Sequence, residues 1–191
     1  MKIANESSIS PEVLTRIKSR VYDIIGCCLE VHRELGPWLN EYIYQEALKM
    51  AFDEKQIQHE KEYYFQVSFH GQPLAHRHYM DFLCKGDVVL ECKAISSIGN
   101  EQRQQLWNYM RLTNTPIGIL FNFAPVKDQC EKYYYDVKTK TIFVLFVFPF
   151  CSTNTPFLAP KLQNLNILGS LSHFFNKFLE SPRFYSLTLH K

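Results

Sequence analysis

Apolar positions in the first third of the chain recur every three or four residues, which predicts two helices. The first helix is expected to begin at Ser10-Pro11, which suits an N-cap and first turn, and to stop at Gly36-Pro37. Its apolar stripe consists of Val13, Ile17, Val21, Ile24, Cys28 and Val31. The second helix is predicted over 41–52, with one apolar face formed by Tyr44, Leu48 and Phe52.

The spacing changes after the charged stretch 53–62, where apolar and polar residues begin to alternate. Alternation of period two predicts strands, and the turn cluster 70–73 joins the first two of them. The predicted strands span 64–69, 74–84, 88–94, 116–122, 133–136 and 141–148. A third helix is predicted over 100–112. This order predicts an α/β domain with a mixed, mostly antiparallel sheet and flanking helices.

The composition of the chain shifts near Pro149. Prolines among Ser, Thr and Asn predict a linker over 149–166, and helical spacing predicts a short amphipathic helix over 168–179. We therefore expect a compact domain over 1–148 and an extension over 149–191. The helix of this extension is expected to dock on its own domain or on a second copy, which would form a homodimer.

Composition and charge exclude several classes of protein. The chain has 191 residues, of which 46% are hydrophobic and 21% charged, which excludes a disordered chain. Its 21 Lys and Arg stand against 19 Asp and Glu, and the net charge of +2 excludes a strongly basic nucleic-acid coat. A local basic groove is still allowed. Only seven glycines are present, which argues against a Gly-rich phosphate loop.

The sequence predicts a cytoplasmic protein without membrane association. No apolar signal core follows the N-terminus, and the longest apolar run, 142–150, is too short to span a bilayer. None of the six cysteines lies in a C-x-x-C pair, which argues against a zinc ribbon or a redox motif. We expect reduced thiols and no disulfides.

Two acids and a lysine interrupt predicted strands that are otherwise apolar. Asp81 lies near the end of one strand, while Glu91 and Lys93 occupy alternate positions of the next and therefore share a face. If the intervening loop has three residues, 85–87, Asp81 lies directly opposite Glu91. Two carboxylates that close repel each other unless a cation lies between them.

A hard divalent ion with oxygen ligands resolves this repulsion. We expect Asp81 and Glu91 to bind it through their carboxylates and Cys92 through its backbone carbonyl. Magnesium is the expected ion, with manganese as an alternative. Lys93 is then placed to orient an attacking water or to stabilise charge that develops on a phosphate.

The spacing Asp81…Glu91-x-Lys93 resembles the active-site signature of the PD-(D/E)xK nuclease superfamily. The predicted order of helix, hairpin, third strand, helix and strand resembles the αβββαβ core of that superfamily. The resemblance covers about residues 20–145. It implies a restriction-endonuclease-like fold and a metal-dependent nuclease that hydrolyses phosphodiester bonds in nucleic acid.

The stretch LGPWLNEYIYQEAL at 35–48 resembles the GxxExxY family, a branch of the same superfamily. Glu41 and Tyr44 match the Glu and Tyr of its motif, whereas Trp38 stands where the motif has its first Gly. Downstream, QQLWNYM at 104–110 resembles the Gln-x-x-x-Tyr helix of the family, and FNF at 121–123 also fits. The matching residues of that helix are Gln105 and Tyr109.

The resemblance implies a role for each matching residue. Asp81 and Glu91 would be metal ligands, and Lys93 would be the catalytic lysine. Gln105 would support the site from the helix that follows the third strand, and Glu41 would point toward the site from the preceding helix.

Other interpretations of the same residues remain open at this stage. Asp81, Glu91 and Lys93 would also fit a structural ion-pair cluster at a strand edge. Glu41 would fit an acid that stabilises the first turn of a helix, and Gln105 would fit a surface residue. At the level of function, the alternative is a nuclease-fold module that binds nucleic acid or a protein without cutting. The small net charge favours this module, and the complete acid–acid–lysine set favours the enzyme.

Overall fold

The computed structural model describes residues 2–146. Within this range the chain forms three α-helices and one sheet of seven strands. The helices are α1 Pro11–Leu35, α2 Glu41–Glu54 and α3 Asn100–Thr113. The strands are β1 Lys2–Asn5, β2 His59–Phe69, β3 Gln72–Cys84, β4 Val88–Lys93, β5 Ile117–Asn122, β6 Gln129–Asp136 and β7 Thr141–Leu145.

The predicted limits of α1 are confirmed, and each has a local cause. The Ser10 hydroxyl caps the first turn by accepting a hydrogen bond from the amide of Val13 (3.4 Å). Gly36 follows the last turn with φ at 73°, a backbone angle that favours glycine. The predicted apolar stripe is buried, apart from its first residue, Val13.

The sheet is mixed and mostly antiparallel, as the sequence predicts, with strand order β1-β7-β6-β5-β4-β3-β2. The β1–β7 and β4–β5 pairs are parallel, and the other four pairs are antiparallel. Each face contributes to its own apolar cluster, so β4 and β5 are buried on both sides. The cluster that holds α1 and α2 includes Ile24, Tyr44, Leu90 and Phe121. The cluster that holds α3 includes Val89, Leu106, Met110 and Leu120.

The β2–β3 hairpin is longer than predicted, and its turn is shorter. The turn consists of His70 and Gly71 alone, with φ angles of 49° and 76°, instead of the predicted cluster 70–73. The predicted start of β2 at residue 64 is also wrong, because the charged residues before it continue the strand. Glu60 and Glu62 are exposed there while their neighbours are partly buried, which is the alternation of a half-buried strand.

Three further strands, β6, β7 and β1, differ from the prediction. β6 begins at Gln129 instead of residue 133, and β7 ends at Leu145 instead of residue 148. β1 was not predicted, and it pairs in parallel with β7. The predicted linker over 149–166 and helix over 168–179 lie outside the described residues.

The described residues also bear on the predictions about disulfides and membrane association. None of the five cysteines within residues 2–146 forms a disulfide. No helix in this part of the chain is long and apolar enough to cross a membrane.

Candidate active site

The carboxyl end of β4 brings four ionisable side chains together. Glu91 and Lys93 come from β4 itself, and Asp81 comes from the neighbouring strand β3. Glu41 is the first residue of α2, which packs on one face of the sheet. Each of these groups alters the pKa of at least one other, so they form one electrostatic cluster.

The centre of this cluster is an ion pair between Glu91 and Lys93. The Lys93 ammonium donates a hydrogen bond to Oε1 of Glu91 at 2.7 Å. Glu91 is buried and Lys93 is partly buried, with 2% of the Glu91 side chain and 12% of the Lys93 side chain exposed. The second carboxylate oxygen of Glu91, Oε2, is buried and has no hydrogen-bond partner among residues 2–146. A buried carboxylate oxygen is costly to leave without a partner, so this atom marks a place for a ligand.

Asp81 lies beside this pair, where the β3–β4 ladder ends. The three-residue loop 85–87 pairs Cys84 with Val88, as predicted, and the last ladder pair is Phe82–Leu90. One position further, the register does not continue as a backbone pair. Oδ2 of Asp81 instead accepts a hydrogen bond from the amide of Cys92 at 2.7 Å. The Asp81 carboxylate is thereby fixed against the strand that carries Glu91.

Burial and mutual repulsion shift both carboxylates toward their protonated forms. Burial, then the negative charge of Asp81, raises the pKa of Glu91 to about 7, although Lys93 opposes this shift. Burial also raises the pKa of Asp81, against the lowering effects of the Cys92 amide and the Lys93 ammonium. Both carboxyl groups are therefore harder to ionise than a carboxyl group in water.

The same surroundings favour the charged form of Lys93. Burial disfavours its charged form, but the carboxylates of Glu91, Asp81 and Glu41 outweigh burial and raise the pKa of Lys93. Lys93 is therefore an ammonium ion at neutral pH, suited to electrostatic stabilisation and not to proton abstraction.

Glu41 adds a third carboxylate to the cluster. Burial raises the pKa of its carboxyl, Lys93 lowers it and Asp81 raises it further. An interaction with the backbone amide of Ala94 favours the ionised form. The structure thus brings Glu41 near the carboxyl end of β4, although it belongs to a helix packed on the sheet.

Gln105, on α3, is linked to the cluster through its neighbour Tyr109. Its Nε2 donates a hydrogen bond to the hydroxyl of Tyr109 at 2.9 Å. Burial raises the pKa of Tyr109, and Glu91 and Asp81 also act on this hydroxyl. Tyr109 therefore borders the cluster, and Gln105 is linked to the cluster through the Tyr109 hydroxyl.

The side chain of Cys92 does not belong to the cluster. It is buried among apolar residues on the α1–α2 side of the sheet, and burial and the charge of Asp81 raise the pKa of its thiol well above the ordinary value. The thiol therefore stays protonated, and the only oxygen that Cys92 could offer a metal ion is its backbone carbonyl.

The oxygen donors suit a hard cation. Within residues 2–146, no three His, Cys, Asp or Glu side chains converge as a complete metal-binding group. Asp81, Glu91 and one carbonyl nevertheless fit an ion such as Mg²⁺, which usually takes one or two carboxylates and keeps several waters. Oε2 of Glu91, buried without a hydrogen-bond partner among residues 2–146, is an oxygen that such an ion would satisfy.

Asn122 is a site residue to which sequence reasoning assigns no role. It ends β5 opposite Lys93, is fully buried, and its amide exchanges two hydrogen bonds with the backbone of Ile95 (3.0 and 2.8 Å). It also donates to the side chain of Gln129 at 3.0 Å. Asn122 thereby fixes the segment that leaves β4. In the sequence, the signal for such a role is an asparagine at the end of an otherwise apolar strand.

The mixed sheet, its flanking helices and the acidic pair with a lysine at the end of β4 define an α/β protein with a restriction-endonuclease-like fold. The model of the PD-(D/E)XK nuclease superfamily matches residues 18–133, and the chain belongs to that superfamily. Nucleases of this superfamily generally use divalent metals.

Other comparisons add little to this assignment. A solved structure described as the crystal structure of SSO0001 is 18% identical to the chain, with a TM-score of 0.41. The alignment covers 52% of this chain and 53% of that chain. No curated protein is significantly similar to the chain.

In metal-free solution, we expect the protein to lose stability as the pH rises from about 5 to about 8. Between the ordinary pKa of Glu91, 4.5, and its folded value of about 7, the folded carboxyl holds a proton that the unfolded chain has released. Stability from this group is therefore complete at low pH and lost across that window, by on the order of 3 kcal/mol. Urea unfolding in EDTA at both pH values measures the loss. Glu91→Gln should show a smaller loss, and equal losses would contradict the shifted pKa.

Proposed function

We propose that the chain is a metal-dependent nuclease that hydrolyses phosphodiester bonds in nucleic acid. The observation that carries the proposal is the ion pair of buried Glu91 with Lys93, with one Glu91 oxygen unsatisfied, beside the carboxylate of Asp81. A purely structural ion pair would not need a second, partly buried carboxylate that raises the pKa of the first. Membership of the nuclease superfamily supports the same conclusion.

Asp81, Glu91 and the carbonyl of Cys92 are proposed to hold the metal, which we propose to be magnesium, with manganese as an alternative. A divalent cation in such a site supplies Lewis-acid stabilisation of a phosphoryl oxygen. Lys93 holds its proton at neutral pH and places positive charge next to the reacting phosphate. It also orients the attacking water by donating a hydrogen bond.

Glu41 and Gln105 are proposed to assist from the two helices. The partly buried carboxyl of Glu41 has a raised pKa and lies within the field of Lys93 and Asp81, which suits a group that accepts a proton from water. Gln105 is proposed to act through Tyr109, whose hydroxyl it holds. Gln105 is thus a positioning residue.

We also propose that the chain belongs to the GxxExxY branch. Glu41 lies at the cluster and the Tyr44 hydroxyl ties the loop before α2, so both motif residues have a structural use. The non-cutting module remains the alternative function. Homodimerisation and a cytoplasmic location stay predictions.

Magnesium is expected to raise the melting temperature of the wild-type protein. At tenfold the dissociation constant, a ligand that binds only the folded state stabilises it by about 1.4 kcal/mol. For a domain of this size, that corresponds to roughly 3–6 °C. Differential scanning calorimetry in EDTA and in millimolar magnesium measures the shift. Glu91→Gln should abolish it, and an equal shift in that variant would place the metal elsewhere.

The activity itself is tested on a panel of single-stranded and double-stranded DNA and RNA with magnesium or manganese. We expect cleavage of at least one substrate that stops when EDTA is added. If the wild type binds members of the panel and cuts none of them, the non-cutting module replaces the nuclease.

A further inference from the structure

Trp38 occupies a backbone conformation that usually requires glycine. It lies in the loop between α1 and α2 with φ at 69°, in the left-handed region that a bulky side chain rarely adopts. The side chain gains little burial in return, because 65% of the residue is exposed. An exposed indole on a strained backbone is more consistent with a binding role than with a role in stability.

The loop that carries Trp38 is firmly held beside the acidic cluster. The Tyr44 hydroxyl donates to the carbonyl of Gly36 at 2.7 Å and accepts from the amide of Leu39 at 3.0 Å. The Tyr44 ring stacks on Phe123, with ring centroids 4.6 Å apart. The loop is therefore anchored to the buried core on both sides of Trp38.

The distance from Trp38 to the cluster is bounded by the chain itself. Glu41, which interacts with Lys93 and Asp81, follows Trp38 by three residues. Three peptide units place their Cα atoms no more than about 11 Å apart. Tyr42, in the first turn of α2, presents a second aromatic ring that is 58% exposed. Exposed aromatic surface thus lies next to the groups proposed to act on phosphate.

We propose that Trp38 stacks on an unpaired base of the nucleic-acid substrate, next to the phosphate that is cut. This role rests on the proposed nuclease function and specifies its substrate as a strand with accessible bases: single-stranded nucleic acid or an unpaired end. An indole stacks on every base, so it holds a strand without reading its sequence. Stacking also supplies affinity that does not depend on positive charge, in a protein with a net charge of only +2.

Binding is measured by fluorescence anisotropy with a short labelled single strand and with a blunt duplex of the same sequence. The full chain is used in EDTA and, to prevent cutting, with magnesium in a Lys93→Met background. Trp38→Ala should weaken single-strand binding by roughly 5- to 100-fold, whereas Trp38→Phe should largely retain it. The duplex should bind more weakly than the single strand to the wild type.

Two features of the chain separate a binding role from a structural one. Trp38→Gly and Trp38→Ala both remove the indole, but only glycine relieves the positive φ. Trp38→Gly should therefore melt roughly 2–4 °C above Trp38→Ala while both bind equally weakly.

Phe69 is a matched control, since it is 64% exposed at the tip of the β2–β3 hairpin. That tip lies about 30 Å along the strand from Asp81, and Phe69→Ala should bind normally.

Intrinsic fluorescence provides an independent signal. The chain has two tryptophans, and Trp107 packs against Tyr133 with its indole nitrogen buried. Single-stranded nucleic acid should quench the wild type and not Trp38→Phe. If Trp38→Ala binds as tightly as the wild type, or the wild type binds no single strand, the stacking role is overturned. Loss of binding in Trp38→Ala together with no cleavage by the wild type would retain the stacking role and remove the nuclease.

Discussion

Replacing Lys93 with methionine is expected to lower the rate of phosphodiester cleavage by roughly 100- to 1,000-fold or more, a loss typical of removing one preorganised group that stabilises transition-state charge. Methionine fills most of the volume of the lysine chain without its charge. Both carboxylates remain, so the magnesium-induced rise in melting temperature should persist. A rate constant measured with saturating substrate, beside calorimetry with and without magnesium, separates the two effects.

Lys49 provides the matched control for this variant. It lies on α2 and forms an exposed ion pair with Asp53 at 2.7 Å, away from the cluster. Lys49→Met also removes one lysine charge and should keep the wild-type rate. If Lys93→Met cleaves at the wild-type rate while remaining folded, the proposed role of Lys93 is wrong.

Asp81→Asn is expected to abolish both cleavage and the response to magnesium, while leaving the fold intact. The amide oxygen of asparagine can still accept the hydrogen bond from the Cys92 amide, which Asp81 accepts at 2.7 Å. The variant also removes a partly buried charge that raises the pKa of Glu91. Activity assays and calorimetry with and without magnesium should therefore show an inactive protein that is at least as stable as the metal-free wild type.

Asp81→Ala is the informative partner of that variant. Alanine leaves the Cys92 amide without its acceptor, at a cost of about 1–3 kcal/mol, or roughly 2–12 °C in melting temperature. The alanine variant should thus be inactive and less stable, and the asparagine variant inactive and stable. A cleaving Asp81→Asn protein would show that this carboxylate is structural.

The central residues of the candidate site could be predicted because their signal is local. Glu91 and Lys93 are charged residues in an apolar strand, and strand alternation alone places them on one face. The three-residue loop then correctly fixes the pairing of Cys84 with Val88. The printed pairs end at Phe82–Leu90, and beyond them the Cys92 amide donates a hydrogen bond to the side chain of Asp81. Periodicity gives no signal for a hydrogen bond between a backbone amide and a side chain.

Contributions from the helices could be predicted only through the family resemblance. Helical spacing indicates which face of α2 or α3 is buried, but it cannot show that Glu41 lies near Lys93 or that Gln105 holds Tyr109. Those proximities depend on how each helix end is placed against the sheet. The strained angle at Trp38 is likewise a tertiary property, because Tyr44 fixes the loop from outside it.

The parallel pairing of β1 with β7 has a consequence for how the chain acquires its structure. Lys2 pairs with Thr141 and Asn5 with Val144, so nearly the whole described chain separates the two partners. Contacts of such long range are formed late, because the entropy of closing the loop is lost before the contact compensates it. During synthesis, β1 therefore leaves the ribosome long before β7 and has no pairing partner until β7 has been made. A fusion partner joined immediately before β1 would be attached directly to this strand, whereas one joined well after β7 would leave the strand free to dock.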